Sequence, residues 1–569
     1  MPSKTLMVAA FDFGTTYSGY AFSFRDDQTK IQTNHNWYAS GGSSLLVSLK
    51  TSTSVLLNPK GEFHSFGFDA ENKYASLAID DEHKGWRLFR RFKMVLHINE
   101  HLTKHITVED FCGKQMEAFP LFVMSIKYLR EHLLEEVTRQ TRGINETDIL
   151  YVLTVPAIWD DNAKRFMRDA AVAAKIDPKR LKLALEPECA SIWCETLDKD
   201  VKGALTTAGS RYMVVDLGGG TADISVHERK SDGTLKEIHK ASGGPWGGIF
   251  VDKNYMKMLD QLYGKEALID LRKTEMSDYF DITREFELKK RTFGTDEPEK
   301  FVIRLSVSLL DIANKHSEKS LEERIAALDI QKNAITPRGK DKLKIDETLV
   351  QSWFKGPIDL LIQHINSLLS GQKRKRMHTV ILVGGFSESP YVQQRLRKEL
   401  HGARVIIPAD AGLAVLKGAV MFGHNPSIVS SRIMKYTYGT EVLRSFDENK
   451  HQAEQKIWMQ GKWKVDNCFD VFVRVNEEVR VDQQVTRECT PNSEISLTHI
   501  YRTTKQNPEY TTDPGCELLG TVQLENSTDI PFREQVIETT FMFGDTELRI
   551  KMKNTTTGKR AFMTFRCFQ

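Results

Sequence analysis

The chain has 569 residues, more than one hydrophobic core can organise, and its 40% hydrophobic and 27% charged content is that of a globular protein rather than a disordered or fibrous one. Its 79 basic and 76 acidic residues leave a net charge of +3, which excludes a globally basic nucleic-acid binder and names no partner. Seven cysteines without a CxxC pair or Cys/His zinc spacing exclude a disulfide framework and a zinc site, and no apolar run reaches the roughly 18–20 residues of a membrane helix. The N-terminus carries no signal-peptide apolar core, so a cytoplasmic setting with reduced thiols is expected.

The first element is a hairpin over residues 9–24. In AAFDFGTTYSGYAF an apolar strand runs into Asp12, Gly14, Thr15 and Thr16 and then resumes as a second apolar strand. A plain turn needs a glycine, not two adjacent hydroxyls. Residues 120–140 predict a proline-led amphipathic helix with a scaffold stripe of Leu121, Met124, Tyr128, Leu129 and Leu133. Ile149 to Val155 reads as a buried strand ended by Pro156. Asp160 or Asp161 then caps a helix whose apolar side is read as Phe166, Ala170, Val172 and Ala173. In LEPE, Glu186 ends another strand and Pro187 opens a helix.

Residues 213–229, MVVDLGGGTADISVHER, repeat the opening pattern, with Asp216 lying 204 positions after Asp12 (216 minus 12). Glycine lets backbone N–H groups converge on one point and form a nest for anions. Thr15, Thr16 and Thr221 add hydroxyl donors. A carboxylate beside bound phosphate needs a cation between them, so Asp12 and Asp216 facing each other predict Mg²⁺ held through water. Two hairpins closing on one magnesium polyphosphate would floor a cleft between two similar lobes. No GxxxxGK[ST] loop occurs, so this is not a P-loop NTPase.

In REFELKKRTFG, residues 284–294, Glu287, Lys290, Arg291 and Gly294 share one helix stripe, and Tyr279, Ile282, Phe286 and Phe293 supply apolar contacts on other faces. KRKR at 373–376 reads as a solvated loop, with a nuclear address as the alternative. TVILVG leads a strand into Gly384 and Gly385, and HNPSIVSSR at 424–432 reads as a linker. Beyond about 430, VFVRV, EISLTHIY, GTVQL, TTFMF, ELRIKMK and AFMTF predict short strands of a small β-sandwich.

On these motifs the chain resembles the 70-kDa heat-shock chaperone family of the actin-like ATPase superfamily, and in particular its heat shock 70 kDa protein 12 subfamily. Landmarks run from Val8 to about Gly423 and include ILYVLTVPAIWDDNAKRFMRDAAVAAKI, LALEPECASIW and TVILVGGFSESPYVQQRL. The resemblance implies an α/β, two-lobed actin-like (ribonuclease H-like) ATPase fold over 1–425. It also implies a β-rich, sandwich-like substrate- or partner-binding domain over 430–569, here without a helical lid. ATP or ADP with Mg²⁺ is the implied ligand, with Asp12 and Asp216 holding the metal through its waters. Gly14, Thr15, Thr16 and Tyr17 would cover the phosphates from one side, and Gly218, Gly219, Gly220 and Thr221 from the other. Glu186 and Asp223 would orient the attacking water, and Gly247 and Gly248 would line the mouth of the second lobe. Glu287, Lys290 and Arg291 would grip ribose and adenine, with adenosine lying along Gly384 and Gly385. A lysine near the γ-phosphate is implied after a Gly-Asp-Ala segment, a place filled by Lys73 of GFDAENKY.

Departures from the family fall at the adenine end and after it. Gly294 stands for a serine, Phe386 for a small polar residue, and Glu388 for the arginine that sandwiches adenine against Arg291; Phe386 is then the residue to stack in compensation. The family's acidic, Leu-rich linker is missing. Three functions remain open: an ATP-dependent chaperone of the stress response that holds protein clients on its β domain, a nucleotide-binding scaffold that docks signalling partners without a full cycle, and a small-molecule kinase of the same superfamily. No nucleic-acid partner is expected, and the chain is expected to be a monomer or weak oligomer.

Overall fold

Met7–Phe13 is buried on both faces, a burial that requires the middle of a sheet covered on both sides. The computed structural model describes residues 5–565 except 35–36, 42–43, 99–101, 142, 198, 295–300, 329–332, 372–376, 452, 460 and 544–545, so KRKR at 373–376 lies outside the described residues. Met7–Phe13 pairs in parallel with Ile149–Val155, which is parallel to Leu181–Leu185. On its other side it is antiparallel to Tyr17–Phe24, which borders Gln32–Thr33.

Arg211–Leu217 holds the same place in a second sheet. It is parallel to Thr379–Val383, itself parallel to Arg404–Ile406, and antiparallel to Ala222–Arg229, which pairs with Leu235–Gly244. Five strands follow the same order in both sheets, so the repeat visible in the hairpins extends to a whole lobe. Alternation along each strand divides the core. Val8 and Ala10 of the first sheet and Val214, Ile381 and Val383 of the second point into a shared layer with Ala190 and Ile192 of helix Glu186–Cys194 and Leu416 and Ala419 of helix Ala414–His424. Phe11 and Phe13 face outward onto Phe122, Leu129 and Phe166, while Val215 and Leu217 face Tyr255, Phe286 and Phe354.

Three expectations need correction or extension. Asp160 does cap the helix Asp161–Ala173, accepting the Ala163 N–H at 2.9 Å. Its buried stripe, however, is Ala163, Phe166, Met167, Ala170 and Ala171, and Val172 and Ala173 are exposed. The predicted linker 424–432 is instead the end of a helix, a 3-10 turn at Pro426–Ile428 and most of the strand Val429–Ile433. That strand joins the second lobe's sheet beside Leu235–Gly244, and Glu478–Arg480 adds on beyond it. The boundary expected between 425 and 430 therefore falls just before a strand of that sheet.

The remaining strands form two further sheets, ordered Lys456–Met459, Lys462–Val473, Thr437–Ser445, Ile495–Thr503, Cys516–Glu525, Thr564–Phe565 and Gln484–Cys489, Ile537–Met542, Arg549–Asn554, Arg560–Phe562. Phe472, Val522, Phe541, Ile550 and Met552 pack in their shared core. Arg502 anchors these sheets to the first lobe, donating to Asp160 at 2.8 Å and to Glu517 at 2.9 Å. The Tyr438 hydroxyl donates to Asp161 at 2.6 Å, and Arg168 pairs with Glu547. Among the described residues no helix is long and apolar enough to cross a membrane.

Candidate functional site

Each hairpin delivers an aspartate to the end of a central strand, Asp12 opposite Gly19 and Asp216 opposite Asp223. The two turns then meet. A Cβ on Gly220 would lie 2.8 Å from Thr15 Oγ1, and one on Gly219 would collide with Thr16 Oγ1, so the absence of side chains lets the lobes approach here. The first turn is held by Thr53, whose hydroxyl donates to the Gly14 carbonyl and whose N–H donates to the Thr16 carbonyl, both at 2.8 Å. The second is held by the N–H groups of Gly247, Gly248 and Ile249, which donate to the carbonyls of Gly220, Gly218 and Gly219 at 3.2, 3.3 and 2.8 Å. Gly384, at φ +86°, passes against the Asp216 carboxylate and the Leu217 carbonyl, a conformation and a clearance that only glycine combines.

Around these turns lies a cavity of about 620 Å³. Of the residues singled out in the sequence, Asp12, Gly14, Thr15, Thr16, Tyr17, Glu186, Asp216, Gly218, Gly219, Gly220, Thr221, Gly248, Glu287, Lys290, Arg291, Gly384, Gly385 and Phe386 line it. Asp223 stands behind its floor, 1% exposed, accepting the Ala157 N–H. Gly247 supports the second turn from outside. Lys73 is elsewhere: it is an exposed residue of helix Phe68–Ile79 and does not line the cavity.

Two lysines unmarked in the sequence reach the floor instead. Lys93 is 4% exposed, donates to Glu186 at 3.0 Å and lies 5.0 Å from the Trp159 ring centroid. Lys50 donates to Asp12 at 2.6 Å. The usable signal for Lys93 was its place inside the apolar run FKMVL, where an unpaired lysine is costly. Lys50 precedes Thr51–Ser52, a two-residue strand too short to show as a pattern.

The floor is crowded with acids. Burial raises Asp12, but the ammonium groups of Lys50 and Lys93 outweigh it and hold its carboxyl below the usual range. Burial raises Glu186, and Lys93 only partly opposes the rise. Asp216 is pushed well above the usual range by burial and then by Glu186, Asp12 and Asp223. Burial and Glu186 push Asp223 up to about 7.

These shifts set a pH dependence. Asp223 is joined by Glu195 and Glu237, both raised by burial to about 7. Each keeps its proton in the folded chain at a pH where the unfolded chain has released it. Each thus contributes stability that is full below the ordinary carboxyl range and lost as pH rises through about 7. His227, lowered by burial to about 4, has the opposite sign and loses stability as pH falls from 6.5. Asp216 and Glu186, also raised, add to these acids, and His83, His97, His132 and His424, also lowered by burial, add to His227; the shifts of the acids are the larger, so the ligand-free protein is expected to be more stable near pH 5.5 than near pH 7.5, by roughly 2–4 kcal/mol. A chemical-denaturation series across that interval checks the sign; a flat or rising stability refutes it.

The opposite end of the cavity is latched. The Tyr17 hydroxyl donates to Glu287 at 3.4 Å, and the Arg291 guanidinium sits 4.9 Å over the Tyr17 ring. Glu287 also pairs with Lys290 at 2.6 Å and Arg291 at 2.9 Å, which outweigh its burial and lower its carboxyl to about 2. Asp252 joins the lobes, pairing with Lys290 at 2.6 Å and with Arg91 of the first lobe at 2.8 Å. Glu388 accepts the Gly412 N–H at 3.0 Å. Phe386 is 7% exposed and stacks on Phe354, so its ring belongs to the second lobe's core instead of standing free to stack on a base.

The donor set fits a polyphosphate: two facing turns with hydroxyls, and the Thr16 Oγ1 buried without a partner among the described residues. For magnesium, no cluster of three or more direct ligands exists among the described residues. Asp216, which makes no ion pair among the described residues, and Asp12 fit a cation held through its own waters.

The sequence is similar to those of known proteins. The family profile described as Hsp70 protein matches residues 89–425. Heat shock 70 kDa protein 12B of Homo sapiens is 32% identical over 97% of this chain and 90% of its own length. Heat shock 70 kDa protein 12A of Mus musculus is 32% identical over the same shares. The chaperone protein DnaK of Thermoplasma acidophilum is 27% identical over 59% of this chain and 48% of its own length. With two matched lobes closing on one glycine- and threonine-lined cavity, the chain belongs to the Hsp70 family, in its heat shock 70 kDa protein 12 branch.

Proposed function

We propose that this protein binds ATP and ADP with magnesium in the interlobe cavity, hydrolyses ATP, and couples the bound state to protein clients or partners held by the strands beyond residue 434. The reading is carried by the meeting of the two duplicated turns, Gly14–Thr15–Thr16 and Gly218–Gly219–Gly220–Thr221, at the floor of one cavity. Their N–H and hydroxyl groups bind and orient phosphates from both sides. Glu186, steadied by Lys93, is the cavity-lining carboxylate that would hold a water and take its proton, and Asp223, steadied by the Ala157 N–H behind the floor, would support it from there. Magnesium, held through water by Asp12 and Asp216, would supply charge neutralisation for phosphoryl transfer.

A second reading, a nucleotide-binding scaffold without a full cycle, is favoured by the base end. Arg291 is already engaged by Tyr17 and Glu287, and Glu388 carries the wrong charge to sandwich a base against it. Calorimetry with ATP and ADP, followed by phosphate release alone, with an unfolded peptide and with a panel of sugars and polyols, separates the readings. Peptide-stimulated phosphate release supports the chaperone, tight binding without release supports the scaffold, and polyol-dependent formation of ADP without matching phosphate release, the phosphoryl group passing to the polyol, supports a kinase. Thr221→Ala is expected to lower release at least tenfold with an unchanged melting temperature. Unchanged release in that variant removes the second turn from the chemistry.

A further inference from the structure

Lys50 is placed as a fixed component of the cavity floor. Its ammonium donates to Asp12 Oδ2 and to the Gly412 carbonyl, both at 2.6 Å. Asp12 belongs to the first lobe's hairpin, and Gly412 to the 3-10 turn Ala411–Leu413, which is tied to the second lobe by the Gly384 N–H donating to the Ala411 carbonyl at 2.9 Å. The stem of Lys50 runs where Gly19 leaves room: a Cβ there would lie 3.0 Å from Lys50 Cγ. The side chain is 17% exposed and its Asp12 partner 10% exposed. An ammonium has three donors, of which Asp12 and Gly412 take two; among the described residues that leaves one for a ligand oxygen in the cavity that Lys50 lines.

The position matters because a cation is needed between Asp12 and any phosphate bound at the facing turns. In the sequence-level expectation a divalent metal fills that role. Here the chain already supplies a positive charge in contact with the same carboxylate.

We infer that Lys50 is a resident cation of the phosphate site, which lets this protein bind a nucleoside diphosphate without a divalent metal. The inference rests on the nucleotide reading above. Metal then remains a requirement of turnover through Asp216, and not of binding.

The test is ADP titration of the full chain, by calorimetry, in magnesium and in excess EDTA, for the wild type, Lys50→Met and Lys50→Arg. The wild type is expected to lose less than about tenfold in affinity on removing magnesium. Lys50→Met is expected to lose at least about 100-fold in EDTA and to recover most of it in magnesium, which can screen the exposed Asp12 charge. Lys50→Arg keeps the charge and is expected to stay within about tenfold of the wild type in EDTA. Wild-type binding that collapses in EDTA overturns the inference while leaving the nucleotide reading intact. Equal metal dependence of the wild type and Lys50→Met overturns it as well. Absence of ADP binding in both buffers overturns the nucleotide reading itself, and the inference with it. The wild-type and Lys50→Arg comparisons decide the matter even where Lys50→Met does not fold.

Discussion

Asp216→Asn is expected to cut ATP turnover by about 100-fold or more, raise the melting temperature of the ligand-free protein, and bind ADP in EDTA at least as tightly as the wild type. These readouts move in different directions for one reason. Asp216 is 7% exposed, makes no ion pair among the described residues, and shares the floor with three other acids. Its charge is a cost to the fold, since burial and like-charge neighbours both disfavour it. Asn keeps the shape and removes the charge, so the cost disappears and the melting temperature rises by a few degrees. The same charge is what would hold a metal through its waters, so metal-dependent turnover falls. A phosphate bound without metal gains from the change, because a repelling carboxylate has gone. Differential scanning fluorimetry, phosphate release and calorimetry give the three numbers. A lowered melting temperature together with unchanged turnover would show that Asp216 serves only packing.

Gly418→Ala is expected to destabilise the protein by about 3 kcal/mol or more, enough to lower its melting temperature by several degrees. Gly418 lies in helix Ala414–His424, where it crosses helix Glu186–Cys194 between the two sheets. A Cβ there would fall on the Cys189 carbonyl oxygen, which is backbone and cannot turn aside. The helices must separate, and the layer they form touches both lobes. Gly203 in helix Lys199–Thr206 is the control: a Cβ there meets nothing within 4 Å, so Gly203→Ala stabilises by roughly 0.5–1 kcal/mol through the reduced freedom of the unfolded chain. Denaturation midpoints of the two variants should fall on opposite sides of the wild type. A tolerated Gly418→Ala would mean that the two helices are not held at the separation described.

What the sequence showed clearly was whatever repeats with short period or punctuates the chain. The hairpins were legible because apolar alternation stops at an aspartate and a run of Gly and Thr, and the structure extends them only to Met7–Phe24 and Arg211–Arg229. Glu186 and Pro187 marked a strand-to-helix junction for the same reason. The stripe on Asp161–Ala173 was read partly onto the wrong side because alanines occupy buried and exposed positions alike. Lys73 was chosen by its distance along the chain from a short motif, whereas the floor is built by tertiary approach. Lys50 and Lys93 arrive from segments with no periodicity of their own, and only the packed lobes bring them to Asp12 and Glu186. The strands Thr437–Ser445 and Gln484–Cys489 escaped notice because neither alternates: the first is buried over its first four residues and exposed over its last three, and the second is exposed at every position but Val485.

The passage of Val429–Ile433 and Glu478–Arg480 through the second lobe's sheet has a bearing on how this molecule can be divided. A chain cut near residue 425 would surrender both strands and lay bare the flank of Leu235–Gly244, an unpaired ladder of amides and carbonyls open to any neighbouring strand. Here the two-lobed half and the C-terminal strands share fabric, and severing one frays the other.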